Sequence, residues 1–360
     1  MWCAWQVTYR CNFRCGFCHY WRDPMGHAPE QTLEQFDVGS RKLAKLGSIF
    51  VSLAGGEPLL RKDIVEIARL VSRYHVAFLT TNGWEMTPEL ARDLYRAKLW
   101  GVSVSLDYAD PDRHDRRRGM PGSFERAVRA LTYLRAGTRW PWQRVNVMTV
   151  LMHDNLDQIE PLLRLAADYG AYLMIQPYSF RKTGSHRFAH VNGPVSPYLL
   201  DLKRRYRNFL SHPIFLSRFD EALNGGVPNC QAGRAFFNID STGDISICVE
   251  ERHQPVANLF REHEQVIIRR LKAQARRNTC TDCWYNCRGE VEMLMRPWSL
   301  ALSLPTLFFD RGQPPKPKPP AERPPRKPEG TAAAGPARLP FAGTLRAHGP
   351  SRAPLDQETT

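Results

Sequence analysis

The sequence predicts an α/β fold built on a parallel sheet. Short apolar strands alternate with amphipathic helical stretches along residues 1–180, and a small or polar residue follows most strand ends. Six strands are predicted, over residues 4–9, 49–53, 76–80, 101–106, 145–151 and 171–176. Six successive strand–helix units predict parallel pairing, so the carboxyl ends of the strands should share one edge.

Helix start signals stand between these strands. Thr32-x-x-Gln35 has the form of a capping box, and Thr87-Pro88 fits an N-cap followed by proline at the first helical position. Asn155 is expected to cap the helix before the sixth strand. These signals predict helices where crossover connections between parallel strands require them.

Three cysteines follow the first predicted strand as Cys11-x3-Cys15-x2-Cys18. Thiolates are soft ligands that suit iron–sulfur clusters and zinc. Because a four-iron cluster usually takes four cysteines, a loop with three predicts one iron left for an outside ligand. Zinc is disfavoured, since His19 adjoins Cys18 and adjacent residues rarely reach the same ion. A disulfide framework is not expected in a 360-residue chain that shows no secretory signal.

Further polar and glycine residues follow other strand ends. The second strand ends at Ala54-Gly55-Gly56-Glu57-Pro58, the third is followed by Asn82, and Ser105 and Asp107 close the fourth. Glycine lets backbone approach a ligand closely, and a carboxylate such as Glu57 suits an ammonium group. Since sites in parallel α/β barrels gather at the carboxyl ends of strands, these residues and the cysteine loop are predicted to share one mouth.

Together these motifs resemble those of the radical S-adenosylmethionine (SAM) superfamily. The loop has that family's Cys-x3-Cys-x-aromatic-Cys form, with Phe17 at the aromatic place, and Gly55-Gly56-Glu57-Pro58 resembles its Gly-Gly-Glu-Pro motif. The resemblance implies a partial (β/α)6 TIM-like barrel and a [4Fe-4S] cluster held by the three loop cysteines and by SAM. The residues it implies for contact with SAM are Phe17, Gly55, Gly56, Glu57, Pro58, Asn82, Ser105 and Asp107.

Two parts of this resemblance are weaker. Ser105 and Asp107 would lie near the sulfonium or ribose of SAM, but plain strand-end polarity explains them equally well. The fifth-strand segment Met148-Thr149-Val150-Leu151-Met152-His153 lacks the glycines and glutamate of one form of the family pattern. No adenine contact is therefore assigned there.

The resemblance implies an enzyme that reductively cleaves SAM to a 5′-deoxyadenosyl radical, which abstracts hydrogen from a substrate. It also implies an external electron donor such as flavodoxin or ferredoxin. The substrate and any further catalytic residue are not identified by the sequence. A peptide or protein substrate leads because SPASM-type relatives often modify peptides, and a cofactor precursor, a lipid or RNA is the alternative. A non-enzymatic metal-binding scaffold would not need the Gly-Gly-Glu-Pro segment.

A second cysteine set follows the barrel region, comprising Cys230, Cys248, Cys280, Cys283 and Cys287. Strands over residues 236–239 and 244–247, joined by a polar turn, are predicted between the first two. The form Cys230-x12-Gly243-x4-Cys248 resembles the opening of the family's SPASM and twitch extensions, which bind auxiliary clusters. A full SPASM domain has seven cysteines, so five imply one auxiliary [4Fe-4S] cluster held by Cys230, Cys248 and Cys283. Either Cys280 or Cys287 would be the fourth ligand, and a zinc ribbon is the competing interpretation.

These observations divide the chain into four predicted segments. They are a partial barrel at 1–190, a helical connection at 191–228, a twitch/SPASM-like extension at 229–296, and an apolar segment with a Pro/Arg-rich tail at 297–360. Residues 311–360 hold 12 of the 28 prolines and few apolar residues, so disorder is expected there. The apolar run at residues 298–309 is too short to span a membrane, and docking on the barrel is favoured over peripheral membrane contact.

Charge and targeting signals restrict the remaining classes. The net charge is +14, and Arg113 and Arg116-Arg117-Arg118 are expected near the mouth, where they could meet an anionic substrate. No RNA-binding module is recognisable, so nucleic acid is not expected as a partner. The absence of a signal peptide predicts a cytoplasmic protein.

Overall fold

A nine-stranded sheet organises the chain, in the order β6-β5-β4-β3-β2-β1-β7-β8-β9. The computed structural model describes residues 1–294, so the apolar segment and tail predicted at 297–360 lie outside the described residues. The strands are β1 (Trp2–Thr8), β2 (Phe50–Gly55), β3 (Val76–Thr81), β4 (Gly101–Ser105), β5 (Arg144–Leu151), β6 (Tyr172–Pro177), β7 (Phe236–Ile239), β8 (Asp244–Ser246) and β9 (Ala257–Asn258).

Strands β1 to β6 pair in parallel and in chain order, which confirms the predicted α/β class. The helices are α1 (Leu33–Lys45), α2 (Ile64–Val71), α3 (Pro88–Arg96), α4 (Pro111–Arg118), α5 (Ser123–Gly137), α6 (Ile159–Asp168), α7 (Ser196–Arg205), α8 (Pro213–Ser217), α9 (Phe219–Leu223), α10 (Glu264–Arg277) and α11 (Asn286–Leu294). Among the described helices, none combines the length and the apolar character needed to cross a bilayer.

The two faces of the parallel strands differ in composition. On β1, Cys3, Trp5 and Val7 are fully buried in the core outside the barrel, and the Trp5 ring packs 4.8 Å from that of Phe36 on α1. The alternate residues of the same strand face the interior of the barrel. This two-residue period places one set of β1 side chains against the helices and the other set, including Trp2, on the wall of the barrel interior.

The predicted caps form at two helices. Thr32 and Gln35 form a reciprocal capping box at α1, with the Gln35 N–H 3.3 Å from Thr32 Oγ1 and the Thr32 N–H 2.9 Å from Gln35 Oε1. Thr87 Oγ1 accepts the Leu90 N–H at 3.1 Å at the start of α3. Both caps satisfy amide groups that have no partner within the helix.

The capping role predicted for Asn155 is wrong. Its side chain makes no cap bond and turns back to the strand ends instead. Asn155 accepts the Met152 N–H at 2.7 Å and donates to the carbonyls of Asp107 at 3.0 Å and Val150 at 2.8 Å. It therefore joins the segment after β4 to the end of β5.

Asn155→Ala is expected to destabilise the protein more than Thr87→Ala. Asn155 is fully buried, so its loss leaves one amide and two carbonyls without partners and should cost about 3 kcal/mol. The exposed cap at Thr87 is worth about 1 kcal/mol. Urea unfolding of both variants measures the difference, and equal losses would contradict the assigned role of Asn155.

The predicted hairpin forms, and it continues the barrel sheet. β7 and β8 pair antiparallel across a turn in which Asp240 Oδ1 accepts the Thr242 and Asp244 amides at 2.8 and 2.9 Å. β7 also pairs in parallel with β1, with Trp2 opposite Phe236 and Trp5 opposite Ile239. The cysteine-rich region thus begins beside the strand that leads into the cysteine loop.

Candidate functional site

The cysteine loop leaves the carboxyl end of β1, where the sequence places it. Cys15 is buried, while Cys11 and Cys18 are half-buried. Burial raises the pKa of Cys11 to about 11 and that of Cys15 to about 12, against opposing contributions from the Phe13 amide and from Arg118. Because metal ligands must be thiolates, a bound metal or cluster would have to displace the protons of these two thiols.

The glycines of the Gly-Gly-Glu-Pro segment hold β2 against β1. A Cβ atom on Gly55 would lie 2.0 Å from the Thr8 carbonyl oxygen, and one on Gly56 would lie 2.2 Å from that of Arg10. Gly55 also has φ +135°, which disfavours other residues. Glycine is thus required at these two positions because the backbone of β1 and of the loop after it lies so close. Contact of these glycines with a ligand stays a prediction. Pro58 then opens a short 3₁₀ turn.

Glu57 lies at the centre of a hydrogen-bond network among the strand ends. Its carboxylate is 1% exposed and accepts the Leu59 amide at 3.0 Å, the Thr81 hydroxyl at 2.7 Å and the Asn82 amide at 2.6 Å. Burial raises the pKa of Glu57 to about 7, although these hydrogen bonds lower it. The Asn82 side chain donates to Asn12 Oδ1 at 2.8 Å, which ties this network to the cysteine loop.

Asp107 is engaged by a cation within the protein. It is fully buried, with Oδ2 at 2.6 Å from Arg118 Nη2 and Oδ1 accepting the Val150 amide at 2.9 Å. Burial raises the pKa of Asp107, and Arg118 opposes that shift. The guanidinium carbon of Arg118 also lies 5.2 Å from the centre of the Phe17 ring. Arg118 therefore contacts both Asp107 and Phe17. Ser105 is the last residue of β4 and pairs with Met148 on β5.

A cavity of about 770 Å³ occupies the interior of the barrel, and we call it the barrel cavity. Its strand-borne lining includes Ala4, Gln6, Ser52, Ala54, Thr80, Ser103, Asn146, Met148 and Gln176. Cys18 and Gly55 line it from the predicted mouth, and Cys287 lines it from the extension. The side-chain oxygens of Asn146 and Asn286 are buried without a hydrogen-bond partner among the described residues. The volume suits a small-molecule ligand.

The second cysteine set is partly buried, and Arg288 lies near two of its members, Cys230 and Cys283. Burial raises the pKa of Cys283 to about 12 and also raises that of Cys230, Cys248 and Cys287. Arg288 is fully buried and donates to the Cys283 carbonyl at 2.7 Å. Within residues 1–294 no three His, Cys, Asp or Glu side chains are arranged to hold a single metal ion. The geometry therefore leaves the ligands of an auxiliary cluster, including the choice between Cys280 and Cys287, as predictions.

A second cavity of about 770 Å³ lies on the other side of the cysteine loop, and we call it the arginine cavity. Its lining includes Arg14, Arg22, Arg113, Arg116, Arg117 and Arg187. Arg113, Arg116 and Arg117 are among the basic residues that the sequence places near the mouth, whereas Arg118 turns inward to Asp107. Sequence reasoning missed Arg14 and Arg22, although both stand within or just after the cysteine motif. It also missed Arg187, for which no local signal exists.

Arg118→Met should lower the free energy of unfolding by about 3 kcal/mol, because it leaves the carboxylate of Asp107 buried without its cation. Adding Asp107→Asn in the same chain removes that charge and should recover part of the loss. Urea unfolding of the single and double variants checks this. If Arg118→Met unfolds like the parent, the buried pair has no such role.

Known proteins resemble this chain in both sequence and fold. Residues 5–166 match the family model described as Radical SAM superfamily. The chain is 29% identical over 320 residues to the mycofactocin maturase MftC of Mycolicibacterium smegmatis, covering 79% of this chain and 76% of that protein. It is 36% identical over 169 residues to the AdoMet-dependent heme synthase of Methanosarcina barkeri, covering 47% of each.

Solved structures share the fold. SuiB of Streptococcus suis, crystallised with its precursor peptide SuiA, aligns with a TM-score of 0.60 at 18% identity. The alignment covers 74% of this chain and 64% of the SuiB chain, so this chain spans less than two thirds of that protein. The enzyme anSMEcpe with bound AdoMet aligns with a TM-score of 0.56 at 14% identity, covering 74% and 79% of the two chains. These likenesses confirm the predicted fold.

Proposed function

The chain belongs to the radical SAM superfamily, and on that premise we propose that it uses SAM to abstract hydrogen from a peptide or protein substrate. In this proposal Cys11, Cys15 and Cys18 hold a [4Fe-4S] cluster whose open iron takes SAM. When bound and reduced, this cluster would supply the electron for reductive cleavage of SAM. One auxiliary [4Fe-4S] cluster completes the proposal, held by Cys230, Cys248 and Cys283 with either Cys280 or Cys287.

The observation that carries this proposal is that one cysteine of each set, Cys18 and Cys287, lines the barrel cavity. Cys18 and Gly55 line it at the carboxyl end of the parallel strands, and Cys287 lines it from the extension. With Cys287 as the fourth auxiliary ligand, a substrate in this cavity would lie between the two proposed clusters. Such a position suits a reaction in which the auxiliary cluster exchanges an electron with the substrate or binds it.

The residues of the barrel have two tasks in this scheme. Apolar side chains on its wall, among them Phe50, Phe78 and Met174, exclude water and restrict competing reactions of a radical. The polar side chains of Asn146 and Asn286, which line the cavity, would form hydrogen bonds with amide or hydroxyl groups of the substrate. Together they would orient one carbon–hydrogen bond toward the mouth.

A peptide substrate is supported by the structural relative SuiB, which was crystallised with a precursor peptide, and by the sequence relative named a maturase. A cofactor precursor is the second candidate, because another relative is named a heme synthase. The cytoplasm is the proposed location, because clustered cysteines that serve as metal or redox ligands are typical of reducing compartments.

Cys15→Ala should abolish formation of 5′-deoxyadenosine and leave the auxiliary iron in place. The parent, purified and reconstituted without oxygen, should hold about eight irons per chain, and the variant about four. Iron, sulfide and zinc analysis with an assay of SAM cleavage measures both results. Cys3→Ala is the matched control, because Cys3 is a fully buried core thiol that belongs to neither cysteine motif. Zinc in place of iron, or no cleavage by the fully loaded parent, would refute the enzyme proposal.

The substrate class is tested by deuterium transfer. The loaded enzyme is incubated with deuterated peptide pools and, separately, with deuterated tetrapyrroles, and the 5′-deoxyadenosine formed is analysed by mass spectrometry. Deuterium arriving from a peptide supports the first candidate, because hydrogen abstraction moves the label into the nucleoside. Deuterium arriving only from a tetrapyrrole supports the second.

Affinity for SAM should rise as the pH increases from about 6 to about 8. Glu57 has a pKa of about 7, and its carboxylate attracts the ammonium group of SAM only when it is ionised. Binding should therefore lower the pKa of Glu57 and release a proton. Glu57→Gln should weaken SAM binding and remove its dependence on pH. Glu34→Gln, at an exposed position of α1, should leave both the affinity and its pH dependence unchanged. Calorimetry in buffers of different ionisation enthalpy measures both effects, and a flat profile for the parent would exclude this contact.

A further inference from the structure

We propose that the arginine cavity is the docking site of the external electron donor, a small acidic protein that carries a low-potential one-electron cofactor. The inference rests on the proposed function, because a cluster that cleaves SAM reductively has to receive an electron from outside. The arginine cavity would thus bind a second protein, and it is distinct from the barrel cavity proposed for the substrate.

The position of the cavity is the first argument. Arg14 and Gly16, on either side of Cys15, both line it, and Arg14 Nη1 donates to the Cys11 carbonyl at 2.9 Å. A partner seated there would contact the loop that carries the proposed cluster ligands. The electron would then cross little more than the thickness of this loop.

The cysteine loop also separates the two cavities. His19 lines the arginine cavity, whereas its neighbours Cys18 and Tyr20 line the barrel cavity. The same division recurs between Thr183, on the arginine side, and Lys182, on the barrel side. A donor could therefore dock and leave while a substrate stays bound in the barrel.

The charge of the cavity is the second argument. Its six arginines face one carboxylate in the lining, that of Asp154, which forms an ion pair with Arg117. Arg113 is paired with Asp157 at 2.9 Å. The other four, Arg14, Arg22, Arg116 and Arg187, are exposed and form no ion pair among the described residues. A concentration of exposed positive charge of this kind speeds association with an acidic protein and orients it.

An acidic segment of the substrate is the other occupant that the charge would suit. The geometry favours the donor, because the carbon that loses hydrogen has to lie in the barrel cavity, on the far side of the loop. An extended substrate would have to pass around the loop to fill both cavities.

The test compares two double charge reversals, Arg116→Glu/Arg187→Glu in the cavity and Arg269→Glu/Arg276→Glu on the exposed face of α10. Each lowers the net charge by four. Binding of flavodoxin to the reconstituted enzyme is measured by biolayer interferometry over a salt series. The cavity variant should bind flavodoxin at least about tenfold more weakly, with a smaller salt dependence, and the control variant within about twofold of the parent.

A catalytic readout separates docking from damage to the cluster. SAM cleavage driven by flavodoxin and its reductase should show a raised KM for flavodoxin in the cavity variant. Dithionite, which needs no docking surface, should drive cleavage at equal rates in both double variants. Unchanged flavodoxin affinity in the cavity variant overturns the proposal. Binding of acidic peptides is measured in the same way, and a cavity variant that loses affinity for these peptides but keeps its affinity for flavodoxin also overturns it. Failure of dithionite to drive cleavage in the parent would refute the proposed function, while the binding comparison would still decide the docking site.

Discussion

The ends of β1 and β2 lie so close together that only glycine fits between them, and the rest of the site is built on this contact. The amides of Gly56 and Glu57 donate to the carbonyls of Thr8 and Arg10 at 2.9 and 2.8 Å, which fixes the first turn of the cysteine loop. A methyl group at either glycine would overlap those carbonyls. The same contact delivers the carboxylate of Glu57 to the amide of Asn82 at the end of β3. The segment Gly56–Glu57 thereby fixes the relative positions of the ends of β1, β2 and β3 and of the cysteine loop.

A buried ion pair performs a similar task on the opposite side of the loop. Arg118 ends α4, lies against the Phe17 ring and pairs with Asp107 beyond β4. Burying two charges costs desolvation energy, so a pair like this is weak grounds for stability on its own. Its value here is positional, because the cation lies close enough to Cys15 to lower the pKa of that thiol against the effect of burial. Backbone hydrogen bonds thus attach the cysteine loop to the segment after β2, and the guanidinium of Arg118 at the end of α4 contacts the loop on its other side.

Local patterns in the sequence predicted those parts of the fold that depend on local forces. The six parallel strands follow from short apolar runs, and the caps at Thr32 and Thr87 follow from bonds that span three residues. The capping prediction for Asn155 was wrong because no local pattern indicates that its side chain turns back to the strand ends instead of toward the helix. The inward turn of Arg118, in a run with Arg116 and Arg117, was equally invisible, since only tertiary packing distinguishes adjacent arginines.

The pairing of β7 with β1 also has no local signal, because the two strands are more than 200 residues apart, yet it has the largest consequence for function. β1 runs directly into the loop that begins at Cys11, and β7 opens the hairpin that ends before Cys248. Because hydrogen-bonded strands resist relative motion, the loop that begins at Cys11 and the hairpin that leads to Cys248 are attached to one sheet rather than joined by a flexible linker. The proposed electron exchange between a substrate and two clusters would require such an arrangement. The sheet therefore gives a physical reason for the proposed extension to be built onto the β1 edge of the barrel.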